Sequence, residues 1–119
     1  MDSLIEKIRN TPNKVNFQDV IKTINDNYHY QPTKFINGST NDAITNLAGT
    51  NEGSCKIFAF AHLHQLSKSE TLACFGAFYR DDVIKYPQKN NHQNIRQFMI
   101  SGPTGIHFEC FPLSLKKDV

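Results

Sequence analysis

The stretch from Asn51 to Tyr79, NEGSCKIFAFAHLHQLSKSETLACFGAFY, decides how the rest of the chain is read. It is the densest apolar stretch of the sequence and carries two of the three cysteines, Cys55 and Cys74. Ile57, Phe58, Phe60, Ala61 and Leu63 leave only Lys56, His62, His64 and Gln65 as a polar remainder, which marks a buried helix, since a surface helix keeps a polar flank. Ser67-Lys68-Ser69-Glu70 is a capping box, so a second helix is expected from Ser67, with Leu72, Phe75, Gly76 and Tyr79 along one stripe. Gly76 inside a helix costs about 1 kcal/mol relative to Ala, which points to a close contact there. The first helix is expected to open directly after Gly53, with Ser54 as its cap and Cys55 at its first position.

Working towards the N-terminus, residues Ser39 to Gly53 are rich in Asn, Thr and Gly and read as a loop whose length suggests either function or flexibility. Before it, Lys34-Phe35-Ile36 runs into Asn37-Gly38 as a short strand and turn, and Pro32 keeps the preceding aromatic residues extended. Phe17, Val20, Ile21 and Ile24 recur at helical spacing after Asn16, and this helix is expected to fray at Asn25-Asp26-Asn27. Ser3 and Glu6 form the pattern of a capping box for a first helix carrying Leu4, Ile5 and Ile8, which Pro12 stops.

Working towards the C-terminus, Asp81-Asp82 opens a short helical turn through Val83, Ile84 and Tyr86 that Pro87 ends. A last helix is expected from about Asn91 to Ser101, with Ile95, Phe98 and Met99 inward and Gly102 as its stop. Ile106 to Phe111 alternates crudely and reads as a strand able to pair with Lys34 to Ile36. The expectation is an α+β fold: one mostly helical domain over residues 1–119 with a small two-stranded antiparallel sheet.

Composition narrows the function classes. With 119 residues, 39% of them hydrophobic and nine of them Phe, the chain has enough material for one core without staples. Thirteen basic against eleven acidic residues give a net charge of +2 with the signs interspersed, which does not suggest nucleic acid. Three cysteines without a C-x-x-C pair suggest a reducing compartment rather than a disulfide framework. No apolar run approaches the roughly 18 to 20 residues of a membrane span, and the N-terminus lacks the pattern of a cleaved signal peptide. A cytoplasmic protein with no membrane partner is therefore expected.

Three groups of residues are candidates for chemistry. Cys55, at a helix N-terminus beside Lys56, has the setting of a reactive thiolate or of a small packing residue. His62 is excluded as its base, because seven positions along a helix rise about 10.5 Å. A catalytic pair would recruit His92 or His107 from elsewhere in the fold. Gly53-Ser54-Cys55-Lys56 also fits an anion site at a helix N-terminus, or an ordinary cap, but lacks the spacing of a Walker loop. His92 and Arg96 share one helix face near Asn94, and with Tyr79 and Arg80 form either a polar ligand cluster or a structural network in which Arg96 pairs with Asp81 or Asp82. His62 and His64 lie on different sides of a helix and do not chelate one metal, so no metal or other cofactor is expected.

The motifs, taken in order, resemble the HopJ type III effector family. The resemblance runs through Pro32-Thr33-x-Phe35-x-Asn37-Gly38, Asn51-x-Gly53-Ser54-Cys55-Lys56-Ile57-Phe58-Ala59-Phe60-Ala61, Thr71 to Arg80 with Asp82-Val83, His92-Gln93-Asn94-Ile95-Arg96-x-Phe98-Met99, and Gly105-Ile106-x-Phe108. Ser101-Gly102-Pro103-Thr104 departs from it, where the family pattern has Gly followed by an aromatic residue. The resemblance implies a virulence or host-interaction role, with secretion into a host cell by a type III system, and it brings no catalytic residues with it. The reading is a small binding or effector module with an anionic-ligand pocket drawing on Ser54, Lys56, Tyr79, Arg80, Asn94 and Arg96. The alternatives are an enzyme using Cys55 and His92, and a housekeeping protein-interaction domain; the expected partner is a small anionic ligand or a host protein.

Overall fold

The computed structural model describes residues 1–116, so the last three residues of the expected single domain lie outside the described residues. The central stretch forms the two expected helices, but both have different ends. Helix α3 spans Glu52–Leu63 and begins two residues before the expected Ser54 cap. Asn51 turns the chain in the left-handed conformation (φ 50°), which Asn tolerates better than most residues, and the Cys55 amide already donates to the Asn51 carbonyl at 3.0 Å. Cys55 therefore sits one turn deeper than expected.

Helix α4 is short, Lys68–Ala73, and opens with the expected capping box: Glu70 N donates to Ser67 Oγ at 3.1 Å and Ser67 N to Glu70 Oε1 at 2.8 Å. It does not reach Tyr79. Gly76 takes a left-handed φ of 59°, which ends the helical path, and an added Cβ there would lie 2.8 Å from the Phe17 amide nitrogen. The close contact expected at Gly76 exists, but at a break between helices. Beyond it, Phe78–Val83 forms a π-helical segment, closed by an Ile84 N to Tyr79 O bond of 3.0 Å.

Three further helices pack around this centre. Helix α1 (Asp2–Asn10) buries Leu4 and Ile8, but starts at Asp2 with no side-chain cap, so the Ser3–Glu6 box does not form. Helix α2 (Phe17–Asn27) is capped by Asn16, whose side chain accepts from Gln18 N at 2.8 Å. Its C-terminal turn does not fray at Asn25: Asn27 Nδ2 bonds the Thr23 carbonyl at 2.8 Å and Lys22 pairs with Asp26 at 2.7 Å. Helix α5 (Gln93–Ser101) buries Asn94, Ile95, Gln97 and Phe98, and Gly102 ends it with a φ of 66°.

The strands form two small antiparallel sheets. In the first, β2 (Phe35–Asn37) lies between β3 (Ile44–Asn46) and β4 (Ile106–Phe108), with Phe35 opposite Asn46 on one side and Phe108 on the other. The β2–β4 pairing is the one anticipated, whereas β3 lies within the segment expected to be loop. In the second, β1 (Tyr28–Tyr30) pairs with β5 (Leu113–Leu115), tying β5 to the segment that follows α2. Phe58 of α3 is the hub of the core: its ring stacks on Phe98 at 4.9 Å and meets Phe75 and Phe35 edge-on at 5.7 and 6.1 Å. Each fully buried Phe contributes about 1.5–3 kcal/mol.

Candidate functional site

Helices α3 and α5 begin at the same place. A cleft of about 550 Å³ opens there, lined by Asn51, Gly53 and Ser54 from the start of α3 and by His92, Gln93, Asn94 and Ile95 from the start of α5. Phe17, Ile44, Phe75 and Phe78 supply its apolar walls. The volume lies within the range of about 300–1,000 Å³ typical of small-molecule pockets.

Both helices start from a left-handed residue, Asn51 at φ 50° and His92 at φ 52°, and neither residue's side chain caps its helix. The amides of Glu52, Gly53 and Ser54, and of Gln93, Asn94 and Ile95, have no carbonyl one turn back within their helices. The positive ends of two helix dipoles thus meet in one cleft. By contrast, α2 and α4 satisfy first-turn amides with the side chains of Asn16 and Ser67.

Four asparagines hold the two helix starts together. Asn94 Nδ2 donates to Asn46 Oδ1 at 2.8 Å and Asn46 Nδ2 returns a bond to Asn94 Oδ1 at 3.1 Å. Asn37 Nδ2 reaches the carbonyl and Oδ1 of Asn94 at 2.9 and 3.0 Å. Asn51 Nδ2 donates to Asn46 Oδ1 at 2.7 Å. This network joins β2 and β3 to both helices, and Asn37, Asn46 and Asn94 are buried in it. Buried amides with satisfied hydrogen bonds specify one arrangement, because any other leaves a polar group stranded in the core. Asn37 Oδ1 is the buried side-chain atom without a partner among the described residues.

On the rim, His92 Nε2 bonds Asp82 Oδ2 at 3.0 Å, and the His92 ring lies 5.2 Å from that of Phe78. The π-helical segment supplies both neighbours, re-aiming Asp82 and Phe78 towards α5. Phe17 reaches the cleft because two glycines of the central stretch make room for it. A Cβ on Gly53 would approach its ring to 3.0 Å, and Gly76 lies against its backbone.

Of the residues singled out by sequence, Ser54, His92 and Asn94 line the cleft, and the others are engaged elsewhere. Asn94 is taken up by the amide network, so it positions the site more than it offers free donors. Cys55 is 1% exposed, and burial pushes its thiol up to about 11, so it is protonated at neutral pH, the opposite of an activated nucleophile. Lys56 bonds Asn25 Oδ1 at 3.0 Å and sits 4.7 Å over the Tyr30 ring, facing α2 and β1. Arg80 braces the turn before α2 through the carbonyls of Val15 and Pro12, at 2.9 and 3.3 Å. Tyr79 packs half-buried against the core.

Arg96 departs from both of its expected roles. It bonds the carbonyls of Asn91, Tyr86 and Pro87 at 2.6, 3.0 and 3.3 Å and Asn91 Oδ1 at 2.8 Å, holding the loop before α5. Its expected acidic partners are paired otherwise, Asp82 with His92 and Asp81 with Lys85. His92 and Arg96 therefore do not converge on one ligand. Among the described residues, no group of three or more His, Cys, Asp or Glu is placed to hold a metal ion.

Sequence reasoning missed Asn37, Asn46, Asn51, Asp82, Phe17 and Phe78 as parts of this site. A signal existed in the asparagines, since Asn46 and Asn51 lie within the expected loop and Asn37 just before it, but nothing in their spacing shows that they meet Asn94.

Compared with known proteins, the chain matches the family described as HopJ type III effector protein over residues 1–113. It is also similar to the crystal structure of a protein of unknown function, VPA0580, with a TM-score of 0.91 and 46% identity over 98% of this chain and 93% of that one. No curated protein matches the chain.

Proposed function

The chain belongs to the HopJ family of type III effector proteins, and from that premise we propose that it is a binding module for a small ligand with an anionic head and an apolar, preferably aromatic, body. One observation carries this reading: the uncapped starts of α3 and α5 meet in a single cleft walled by Phe17, Phe75 and Phe78. The head would accept hydrogen bonds from first-turn amides and from the Ser54 hydroxyl, while the body displaces water from the aromatic wall. Among the described residues, no Lys or Arg lines the cleft. The site therefore favours a single compact anion over a highly charged one.

In this reading the protein is made in the cytoplasm and acts after delivery into a host cell, where it captures or presents such a ligand. Titrating the labelled protein with phenyl sulfate tests the binding directly. Amide resonances of residues 52–54 and 93–95 are expected to shift together, more than with phenol, which has the same ring without a full charge. Shifts confined to other parts of the fold, or none at millimolar ligand, would reject the proposal. A translocation reporter fused to the chain tests the delivery separately, the expected signal being entry that depends on an intact type III apparatus.

A further inference from the structure

A second cavity, of about 310 Å³, opens between the C-terminal half of α3, helix α5 and strand β4, and shares no lining residue with the cleft at the helix starts. Its floor is buried and apolar: Phe58, Phe98 and Leu66 line it and are at most 5% exposed. The rings of Phe58 and Phe98 stack at 4.9 Å, so two helices present one aromatic surface, and half-buried Ile106 and Phe108 of β4 stand beside it. Among the described residues, no Lys, Arg, Asp or Glu lines this cavity. Of its polar lining residues, Thr71 is buried and spends its hydroxyl proton on the Ser67 carbonyl at 2.7 Å, whereas His62 and Gln65 are exposed at the mouth. An apolar cavity of about 150 Å³ holds one benzene, so this one has room for a two-ring molecule.

Gln65 distinguishes this cavity from a gap in the packing. It follows His64, the C-cap of α3, in the left-handed conformation, with a φ of 54°. Its amide bonds the His62 carbonyl at 3.3 Å, and the next amide, of Leu66, bonds the Ala61 carbonyl at 2.9 Å. A helix ending of this kind is usually made by glycine, because a Cβ strains the left-handed region. Glutamine here keeps the strain and sets a side-chain amide, able both to donate and to accept, at the mouth of the cavity. Strain retained at a position that lines a cavity points to a use for the side chain.

We propose that this cavity binds a small uncharged aromatic molecule carrying one hydrogen-bond donor, its rings seated on Phe58, Phe98 and Phe108 and its donor met by the side-chain carbonyl of Gln65. Three features select that chemistry. The floor rewards an apolar, flat body. The uncharged lining offers an ionised group nothing to pair with, so burial of a charge there is costly. The mouth lies at the carbonyl end of α3, where the helix dipole is negative and favours a donor over an anion. The site stands apart from the anion-binding reading of the cleft, and gives α3 opposite preferences at its two ends.

Indole is the probe, with two fused rings, no charge and one N–H. Titrated into the labelled protein, it is expected to shift the amide resonances of residues 61–66 and 106–108, which phenyl sulfate should leave in place. N-methylindole keeps the rings without the donor, and is expected to bind about three- to tenfold more weakly, the worth of one neutral hydrogen bond. Gln65→Gly removes the amide and suits the left-handed backbone. It is expected to melt at a higher temperature, yet to bind indole about three- to tenfold more weakly and no better than N-methylindole. A glutamine with only a structural role would give the same rise in melting temperature with indole affinity intact. The proposal is overturned by an absence of shifts at millimolar indole, by shifts centred elsewhere in the fold, or by phenyl sulfate moving residues 61–66 and 106–108 as strongly as indole does. Equal affinity of the parent protein for indole and N-methylindole overturns it too, as does undiminished indole binding by Gln65→Gly.

Discussion

At the scale of single residues, the thiols show how burial overrides local setting. Cys55 has a helix start and a lysine near it, yet its sulfur lies in the core, and Cys74 is likewise pushed up by burial, to about 12. Cys110 is the exposed thiol of the three. Iodoacetamide at neutral pH is therefore expected to modify Cys110 first, with Cys55 and Cys74 reacting only as the protein opens; mass spectrometry of peptides after timed quenching reads the order. The same shifts bear on stability. Folding holds these thiols protonated above the ordinary value of 9.0, so their contribution is fully present below pH 9 and is lost as pH rises towards 11 and 12. Urea midpoints measured from pH 8 to 11 are expected to fall, and to fall less in Cys55→Ala than in the parent protein.

Asn94 makes the sharper residue-scale case. Its replacement by Ala removes the nearer of two acceptors for Asn46 Nδ2, a donor to Asn46 Oδ1 and one of two acceptors for Asn37 Nδ2, all in the core. Orphaned buried groups cost about 1–3 kcal/mol each, so Asn94→Ala is expected to lose about 3 kcal/mol in urea denaturation. Phenyl sulfate affinity should drop with it, because the two helix starts lose their common tie. A loss under 1 kcal/mol would mean that water replaces the network at little cost.

At the scale of elements, the helices were legible and most of the strands were not. Helices α1, α2 and α5 announce themselves through apolar residues at three- and four-residue spacing, and α3 through its nearly complete lack of a polar face. Strands β1, β3 and β5 are three residues each, too short for alternation to rise above chance, and each is defined by a partner far away in sequence. Helix ends were the weak point for a related reason. Ser54 has the chemistry of a cap, but Asn51 can take a left-handed turn, and that turn starts α3 earlier. The capping box at Ser67 forms because the chain enters α4 extended at Ser67, whereas α1 already starts at Asp2 and leaves Ser3 inside the helix, where it cannot cap. Two substitutions contrast these cases. Ser67→Ala is expected to cost about 1 kcal/mol and leave ligand affinity unchanged, since it removes only the α4 cap. Gly76→Ala forces a side chain into a left-handed position against the Phe17 backbone, and is expected to cost at least about 2 kcal/mol and to weaken phenyl sulfate binding by displacing the aromatic wall. Thermal melts paired with titrations distinguish the two.

At the scale of the whole molecule, the cleft draws on parts of the chain that sequence patterns do not connect. Ser54 and His92 were legible as candidates because each stands at a helix start. That they share one cleft, while Lys56, Arg80 and Arg96 turn to carbonyls and amides elsewhere, depends on the packing of β2 and β3 between them. The asparagine bonds that make this join link residues 57 and 48 positions apart. Closing such large rings is entropically costly before the contacts repay it, so the join belongs to the late part of folding. A ligand of this cleft then has nothing to hold until the chain is all but native. Phenyl sulfate is expected to slow unfolding in stopped-flow measurements while leaving the refolding rate unchanged. A faster refolding limb would place the cleft in the folding nucleus instead. The ligand would act as a latch on the finished molecule, prolonging its lifetime without guiding its formation.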